Sequence, residues 1–355
     1  MRTKIGIVTP TYNRAENLII LLDSLSRQTF KDFCVVIADD GSTDNTKEII
    51  EKLSRNDTWK ERLAWVDCGS NSNGRRGRAR NIGVSNLPQD CSLIVMLDSD
   101  LVLESYSLLQ YKDLSEKYPK DIIFGMVEWL PPTPLSEIKE YLHKSKFSEL
   151  KRLIPSGFPT LNKGTFVGPE LRICAPFMRD EDVDYEVRSE WSLFTNTAVP
   201  RKLFDEVGGF DENMQGYGYE DMELGARFSK IGSRCIYSSK CLALHIWHPK
   251  NNDKLCSIEN QINLDYFLRK HGSNEYYENM VDWQYWWHYH KLRQGEVRQI
   301  DNKLLAIDAS KTKALLLTDN SWLGKLGFSG SEVIRDKIEL KNIEIVGEAV
   351  DPIEL

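Results

Sequence analysis

Residues Asp98-Ser99-Asp100 put two carboxylates one residue apart, directly after the apolar run Leu93-Ile94-Val95-Met96-Leu97. A run this short, preceded by Pro88 and Asp90, reads as a buried strand. Side chains at i and i+2 of an extended chain share a face. Asp98 and Asp100 are therefore expected to point to one spot at the strand's C-terminal mouth, where open α/β sheets hold their ligands. Two hard oxygen ligands with little else suit Mg²⁺ or Mn²⁺ completed by substrate phosphates and water. The ordinary alternative is an acidic loop after a strand, and an isolated Asp-x-Asp does not decide between them.

Other stretches carry related chemistry. Asp39-Asp40-Gly41-Ser42 closes a second apolar run. A carboxylate there can accept the N3–H of uracil or a ribose hydroxyl, although Asp-Gly is also a turn signal. Tyr12, just past the first apolar run, is placed to stack on a base, or is a half-buried tyrosine. Arg75, Arg76, Arg78 and Arg80 lie within six positions at an expected helix start. Helix N-termini favour anions and guanidinium groups grip phosphate in a fork, so the cluster points to a diphosphate. Arg75 and Arg76 fit a solvated loop equally well. Arg80 is the better ligand candidate, because Asn81-Ile82-Gly83 look packed.

Glu220-Asp221 opens a helix after the turn Gly216-Tyr217-Gly218-Tyr219. A carboxylate at such a turn can act as a general base, or it can simply complement the helix dipole. Glu220 makes Asp221 harder to ionise and the helix N-terminus offsets this, so Asp221 is expected to be ionised at neutral pH. His245 and His248 are three residues apart, and either can be a third metal ligand or a structural histidine.

The elements that must position these groups alternate. Strands are expected at Ile5–Val8, Phe33–Ala38 and Leu63–Val66, then the run ending at Asp98. A helix carries Leu18, Leu21, Leu22 and Leu25 on one stripe, and a second is capped at Asp44 or Asn45. Such β-α alternation implies a mostly parallel sheet covered on both faces. The texture breaks at Pro131, Pro132 and Pro134. Residues 136–153 look helical and charged, and 155–185 loop-rich. A helix is expected from Pro200, and another near 257–271 leads into Trp283, Tyr285, Trp286, Trp287 and Tyr289, either a packing cluster or an acceptor platform.

The chain has 355 residues, 41% of them hydrophobic and 10% aromatic, enough for a large α/β domain with an appendage. A formal net charge of −7 argues against nucleic acid as a partner. Seven scattered cysteines without a C-x-x-C pair fit reduced thiols. No signal peptide and no spanning run of about 18–20 apolar residues are seen. A cytoplasmic location is expected, with membrane contact at most peripheral.

Thr9-Pro10-Thr11-Tyr12-Asn13-Arg14, Gln28-Thr29-Phe30, Asp39–Asp44, Ala79–Gly83 and Asp98-Ser99-Asp100, in that order and spacing, resemble the family 2 glycosyltransferases of GT-A fold. The stretch from Gly208-Gly209-Phe210-Asp211 to Glu223 resembles the C-terminal half shared by galactosyl- and N-acetylgalactosaminyltransferases and chondroitin-polymerase-type enzymes. The resemblance covers roughly residues 3–250. It implies that Asp40 reads uracil, that Asp98 and Asp100 hold sugar nucleotide and metal, that Asp221 is the base, and that a late histidine binds metal. The spacing from Glu220 favours His245, with His248 second.

The expectation is a GT-A catalytic domain over 1–250 and a mainly helical extension of unknown role over 251–355. The catalytic domain has a nucleotide-binding half at about 1–127, an insertion at about 130–185 and an acceptor half at about 186–250. The activity expected is metal-dependent, inverting transfer from a UDP-sugar to an unidentified glycan, peptide, protein or lipid-linked acceptor. Pro10, Thr11, Tyr12, Arg14, Asp40, Arg78, Arg80, Asp98 and Ser99 form the candidate donor site. Asp98, Asp100 and His245 are the candidate Mn²⁺ or Mg²⁺ ligands, and Asp221 with Glu220 the catalytic pair. A sugar-nucleotide nucleotidyltransferase is the enzymatic alternative, but Thr9–Arg14 stands where its glycine-rich phosphate loop would be. The other alternative is a non-catalytic glycan-binding protein, which would have no use for all three carboxylates.

Overall fold

The apolar runs of the first hundred residues become parallel strands. A computed structural model describes residues 3–69, 76–154, 160–162, 165–169, 185–191, 193–248, 253–272, 277, 296–300, 303–308, 313–317 and 344–348. It divides into two compact units. The first holds Met1–Val127, Pro132–Leu150 and Asp182–His271; the second holds Glu128–Pro131, Lys151–Glu181 and Gly272–Leu355.

In the first unit, β1 (Ile5–Thr11), α1 (Ala15–Ser26), β2 (Phe33–Asp39), α2 (Thr46–Leu53), β3 (Leu63–Asp67), α3 (Arg76–Ser85) and β4 (Leu93–Leu97) alternate along the chain. They are followed by β5 (Leu101–Leu103), α4 (Ser107–Lys117), β6 (Ile122–Trp129) and α5 (Leu135–His143), then by β7 (Tyr185–Arg188), β8 (Asn196–Pro200), α6 (Arg201–Val207), α7 (Glu220–Lys230), β9 (Arg234–His245) and α8 (Asp253–His271). The parallel part runs β3-β2-β1-β4. Strand β8 returns antiparallel between β4 and β6, pairing Asn196 with Leu97 and Thr197 with Phe124. The long β9 pairs with β5, β6 and β7, curling the sheet.

Both faces of this sheet are buried, which is why its strands read as continuous apolar runs. Alternation sends Ile5, Ile7, Val35, Ile37, Val95 and Leu97 to one face, where α1 lays down Leu18, Leu21, Leu22 and Leu25. Val8, Val36, Ile94 and Met96 face the other way, onto Val84 of α3, Phe204 of α6 and Leu224 and Phe228 of α7. Helix α3 comes especially close: a Cβ on Gly83 would lie 2.4 Å from Val8 Cγ1. The described cysteines Cys34, Cys68, Cys91, Cys235 and Cys241 are free thiols.

In the second unit, Thr160–Asn162 and Thr165–Pro169 form an antiparallel pair. Glu296–Ile300, Lys303–Asp308 and Lys313–Leu317 form a meander, Glu296 pairs with Thr160, and Glu344–Glu348 runs parallel to Lys313–Leu317. The mainly helical expectation for 251–355 therefore holds for α8 and not for the described segments from Glu296 on, which are strands. Those segments carry runs such as Leu304-Leu305-Ala306-Ile307 and Leu315-Leu316-Leu317, which are too short for helices and satisfy their backbone by pairing. Trp283, Tyr285, Trp286, Trp287 and Tyr289 lie outside the described residues.

Gly83→Ala tests the α3–β1 contact. Alanine improves helix propensity by about 1 kcal/mol, but overpacking a filled interface costs about 1–3 kcal/mol. The expected outcome is a net loss on the order of 1 kcal/mol in urea unfolding; equal or greater stability in the mutant would show that Val8 yields freely.

Candidate functional site

The parallel strands end in one row, and the loops that follow them are tied to each other. Asn13 adopts a left-handed backbone, with φ of 50°. Its Oδ1 accepts from the backbone N–H of Thr43 at 2.7 Å and of Asp44 at 3.2 Å. The Asn13 N–H donates to Ser42 Oγ at 2.9 Å, and the Ala15 N–H to Asp44 Oδ2 at 3.2 Å. The loops after β1 and β2 thus form one rim. Asp39 is committed to that rim: it accepts from the Ser42 N–H at 2.8 Å and from Trp65 Nε1–H at 3.0 Å. Asp40 is buried beside it, its N–H donating to Thr11 O at 2.9 Å. Pro10 is half-buried, Thr11 is buried with a hydroxyl that has no hydrogen-bond partner, and Tyr12 is 45% exposed.

Strand β4 stops at Leu97, and Asp98-Ser99-Asp100 is a turn. The alternation expected to aim Asp98 and Asp100 at one spot ends with the strand, and the two carboxylates find different partners. Asp98 Oδ1 accepts from Arg80 Nη2 at 2.9 Å. Asp100 meets two histidines: His245 Nε2 lies 3.4 Å from its Oδ1 and His248 Nε2 3.2 Å from its Oδ2. One ligand atom from each of these three residues lies within 4.8 Å of the others. His245 arrives at the end of β9 because His245 pairs with Leu101 of β5 and the Ile246 N–H donates to Asp100 O at 2.8 Å. Ser99, between the two carboxylates, is buried.

The electrostatics of this trio ask for a cation. His245 Nδ1 lies 2.9 Å from the Ile246 carbonyl, which can only accept, so Nδ1 carries a proton. In the neutral ring the Nε2 lone pair then faces a carboxylate oxygen that has no hydrogen bond of its own. Two acceptors cannot satisfy each other. A proton on the ring or a metal ion between them removes the conflict, and an imidazole oriented through its other nitrogen is the arrangement that suits a metal. Burial works against the charge of Asp100, but His245, His248 and the half-buried Arg14 outweigh it and hold the carboxyl well below its usual range.

Arg80 is the other centre. It is 1% exposed, on α3, with its guanidinium 5.4 Å from the Phe210 ring centroid. Besides Asp98 it reaches Asp221 Oδ1 at 3.4 Å. Burial raises the carboxyl of Asp221; Arg80 opposes this, the charges of Glu220 and Asp98 reinforce it, and it stands at about 7. Asp221, expected to be ionised at neutral pH, is instead pushed up toward neutrality, because burial outweighs the guanidinium of Arg80. Glu220 is buried beside it.

Arg78 is placed structurally, donating to the Cys68 carbonyl, with Glu212 3.9 Å away. Arg75 lies outside the described residues. Asn81, expected only to be packed, has a defined bracing role. Its Oδ1 accepts from the Phe210 N–H at 2.8 Å and its Nδ2 donates to Phe210 O and Glu212 Oε1, which fixes Phe210 under Arg80. The only signal was its place next to Arg80.

Residues 6–166 match the family described as glycosyl transferase family 2, and residues 177–246 match the N-terminal domain of galactosyltransferase. Validoxylamine A glucosyltransferase of Streptomyces hygroscopicus subsp. jinggangensis is 27% identical over 287 residues, covering 76% of this chain and 61% of that protein. Chondroitin synthase of Escherichia coli is 23% identical over 254 residues, 66% of this chain and 33% of the synthase. The chain thus spans about three-fifths, or less, of these relatives. The crystal structure of S. aureus TarS 1-349 in complex with UDP-GlcNAc has a TM-score of 0.50 at 16% identity, covering 79% of this chain and 71% of that one, and shares the fold.

The raised Asp221 has a consequence for stability. The folded protein holds this proton more tightly than the unfolded chain, whose aspartates titrate near about 4. Stability is therefore lost as the pH rises from about 4 through about 7. Asp221→Asn removes that loss. The melting temperature of the mutant relative to wild type is expected to rise between about pH 5 and about pH 8, read by scanning calorimetry. A difference independent of pH would show that Asp221 is already ionised at the lower pH.

Proposed function

We propose, because residues 6–166 match the family described as glycosyl transferase family 2, that the protein is an inverting, metal-dependent glycosyltransferase that moves a sugar from a UDP-sugar to an acceptor hydroxyl. The observation that carries this reading is the placement of the Asp221 carboxyl at the start of α7, in contact with Arg80, which also holds Asp98; burial raises its affinity for a proton. A base whose pKa lies near the working pH is best suited to take a proton in the transition state.

In this reading Asp40 and Tyr12 take the uracil, with Pro10 and Thr11 beside them and Arg14 and Arg78 at the diphosphate end. Arg80 holds Asp98 and Asp221 in fixed relation, and Ser99 lines the turn between Asp98 and Asp100. The ligands of a divalent ion are Asp100, His245 and His248; Asp98 answers to Arg80 instead. Such an ion supplies electrostatic neutralisation of the diphosphate leaving group. Asp221 receives the proton of the acceptor hydroxyl as its oxygen bonds to the anomeric carbon. The bond from that carbon to the UDP oxygen breaks on the opposite face, in one displacement. Glu220 stays behind the base and keeps its affinity for the proton high.

The test is release of UDP from a panel of UDP-sugars with Mn²⁺ and with EDTA. Release is expected only with metal, and the product should carry the anomeric configuration opposite to the donor's, read by NMR coupling constants. Retained configuration would overturn the displacement. Asp221→Asn should lower kcat by ~10²–10⁴-fold, with UDP binding nearly unchanged. UDP is expected to raise the melting temperature more with Mn²⁺ than with EDTA, and Asp100→Ala should abolish that increment. An increment that survives in Asp100→Ala would place the metal elsewhere.

A further inference from the structure

The turn that delivers Asp221 is conformationally costly. Gly216, Gly218 and Tyr219 all have left-handed backbones, with φ of 79°, 98° and 64°. Glycine takes this conformation freely, but for a bulky residue such as Tyr219 it is a genuine outlier, kept only where the surroundings over-determine it. Helix α7 does not supply the restraint, since its N-cap is Tyr219 itself, with no side-chain cap bond.

Helix α8 does. Glu259 Oε2 accepts from the Tyr217 N–H at 3.0 Å. Asn263, 2% exposed, donates through Nδ2 to Gln215 O at 3.0 Å and to Gly218 O at 2.8 Å. The loop has been drawn so close that a Cβ on Gly216 would lie 2.4 Å from Glu259 Cδ, and one on Gly218 2.6 Å from Asn260 Cγ. The Tyr219 ring packs at 6.5 Å from Phe267. The far end of the same helix grips both flanks of the turn: Tyr266 Oη donates to Asp211 Oδ2 at 2.8 Å, and Lys270 Nζ contacts Asp211 and, at 2.8 Å, the buried Glu223. A buried amide and a half-buried carboxylate of one helix, both spent on the backbone of one loop, mark a holding device.

We propose that Glu259 and Asn263 of α8 are positioning residues, holding the Gln215–Tyr219 backbone so that Asp221 stands at Arg80. This rests on the transfer reading above. Displacing a reacting group by about 1 Å can cost ~10²-fold in rate, and nothing in α7 alone would prevent such a shift.

The test uses the full-length chain with Glu259→Ala, Asn263→Ala and the isosteric Asn263→Asp, which keeps the volume if alanine there fails to fold. Hydrogen exchange, read by mass spectrometry without substrate, should accelerate about 10-fold or more across 215–223 while β1 and β4 are unaffected. The kcat should fall ~10–100-fold with UDP affinity within about 2-fold of wild type. Glu259→Gln keeps an oxygen acceptor for the Tyr217 N–H and should restore most of the rate. Exchange and kcat at wild-type values, or a kcat loss that Glu259→Gln does not relieve, would overturn the proposal. A wild-type protein that releases UDP from no donor would instead sink the transfer reading, while the exchange comparison would still decide what α8 does to the loop.

Discussion

A single guanidinium sits where the two halves of the first unit meet. Arg80 belongs to α3, which packs on β1; Asp98 follows β4; Asp221 opens α7, more than a hundred residues later in the chain. A buried arginine without paired carboxylates would be strongly unfavourable, so each partner's position depends on the others. Asn81 braces the arrangement by fixing Phe210 under the cation. The same helix lies close on β1 at Gly83.

The ion pair also sets the acidity at the site. Asp98 and Asp221 share the Arg80 guanidinium, and Arg76 adds a second positive charge that acts on both. Asp98 has the shorter contact, and Asp221 is left with a weak one, a buried carboxylate neighbour in Glu220 and a carboxyl near 7. The same desolvation has the opposite outcome at Asp100, where two histidines supply enough positive potential to keep the carboxyl low. Asp98 and Asp100, two residues apart in the chain, thus face different partners, one a fixed guanidinium and the other a pair of imidazoles that a cation can bridge. In the proposed mechanism this separates holding the base from neutralising the leaving group.

The rim over the parallel strands works by a different economy. Asn13, Ser42 and Asp44 satisfy backbone groups of each other's loops, and Asp39 is used up in the turn and on Trp65. At the other side of the site, α8 performs a comparable service for the Gln215–Tyr219 turn, with asparagine and glutamate side chains replacing the missing cap of α7.

Local pattern in the sequence determined a good deal: the β-α alternation, the leucine stripe of α1, the strand ending at Leu97, and the residue types that gather at the mouth. These are legible because periodicity and turn chemistry act over a few residues. The motifs also pointed to the family that residues 6–166 match. What the sequence could not reveal depends on contacts between distant segments. That Asp98 and Asp100 part company follows from the chain turning at Leu97 and from β9 delivering His245 and His248 to one of them alone. That Asp221 retains a proton near neutral pH follows from burial, which no spacing encodes. That α8 begins a mainly helical-looking extension yet packs on the Gln215–Tyr219 turn follows from single buried side chains such as Asn263, whose polar type would read as surface. In each case the deciding term is desolvation or a long-range hydrogen bond, and both come into being only when the tertiary structure closes.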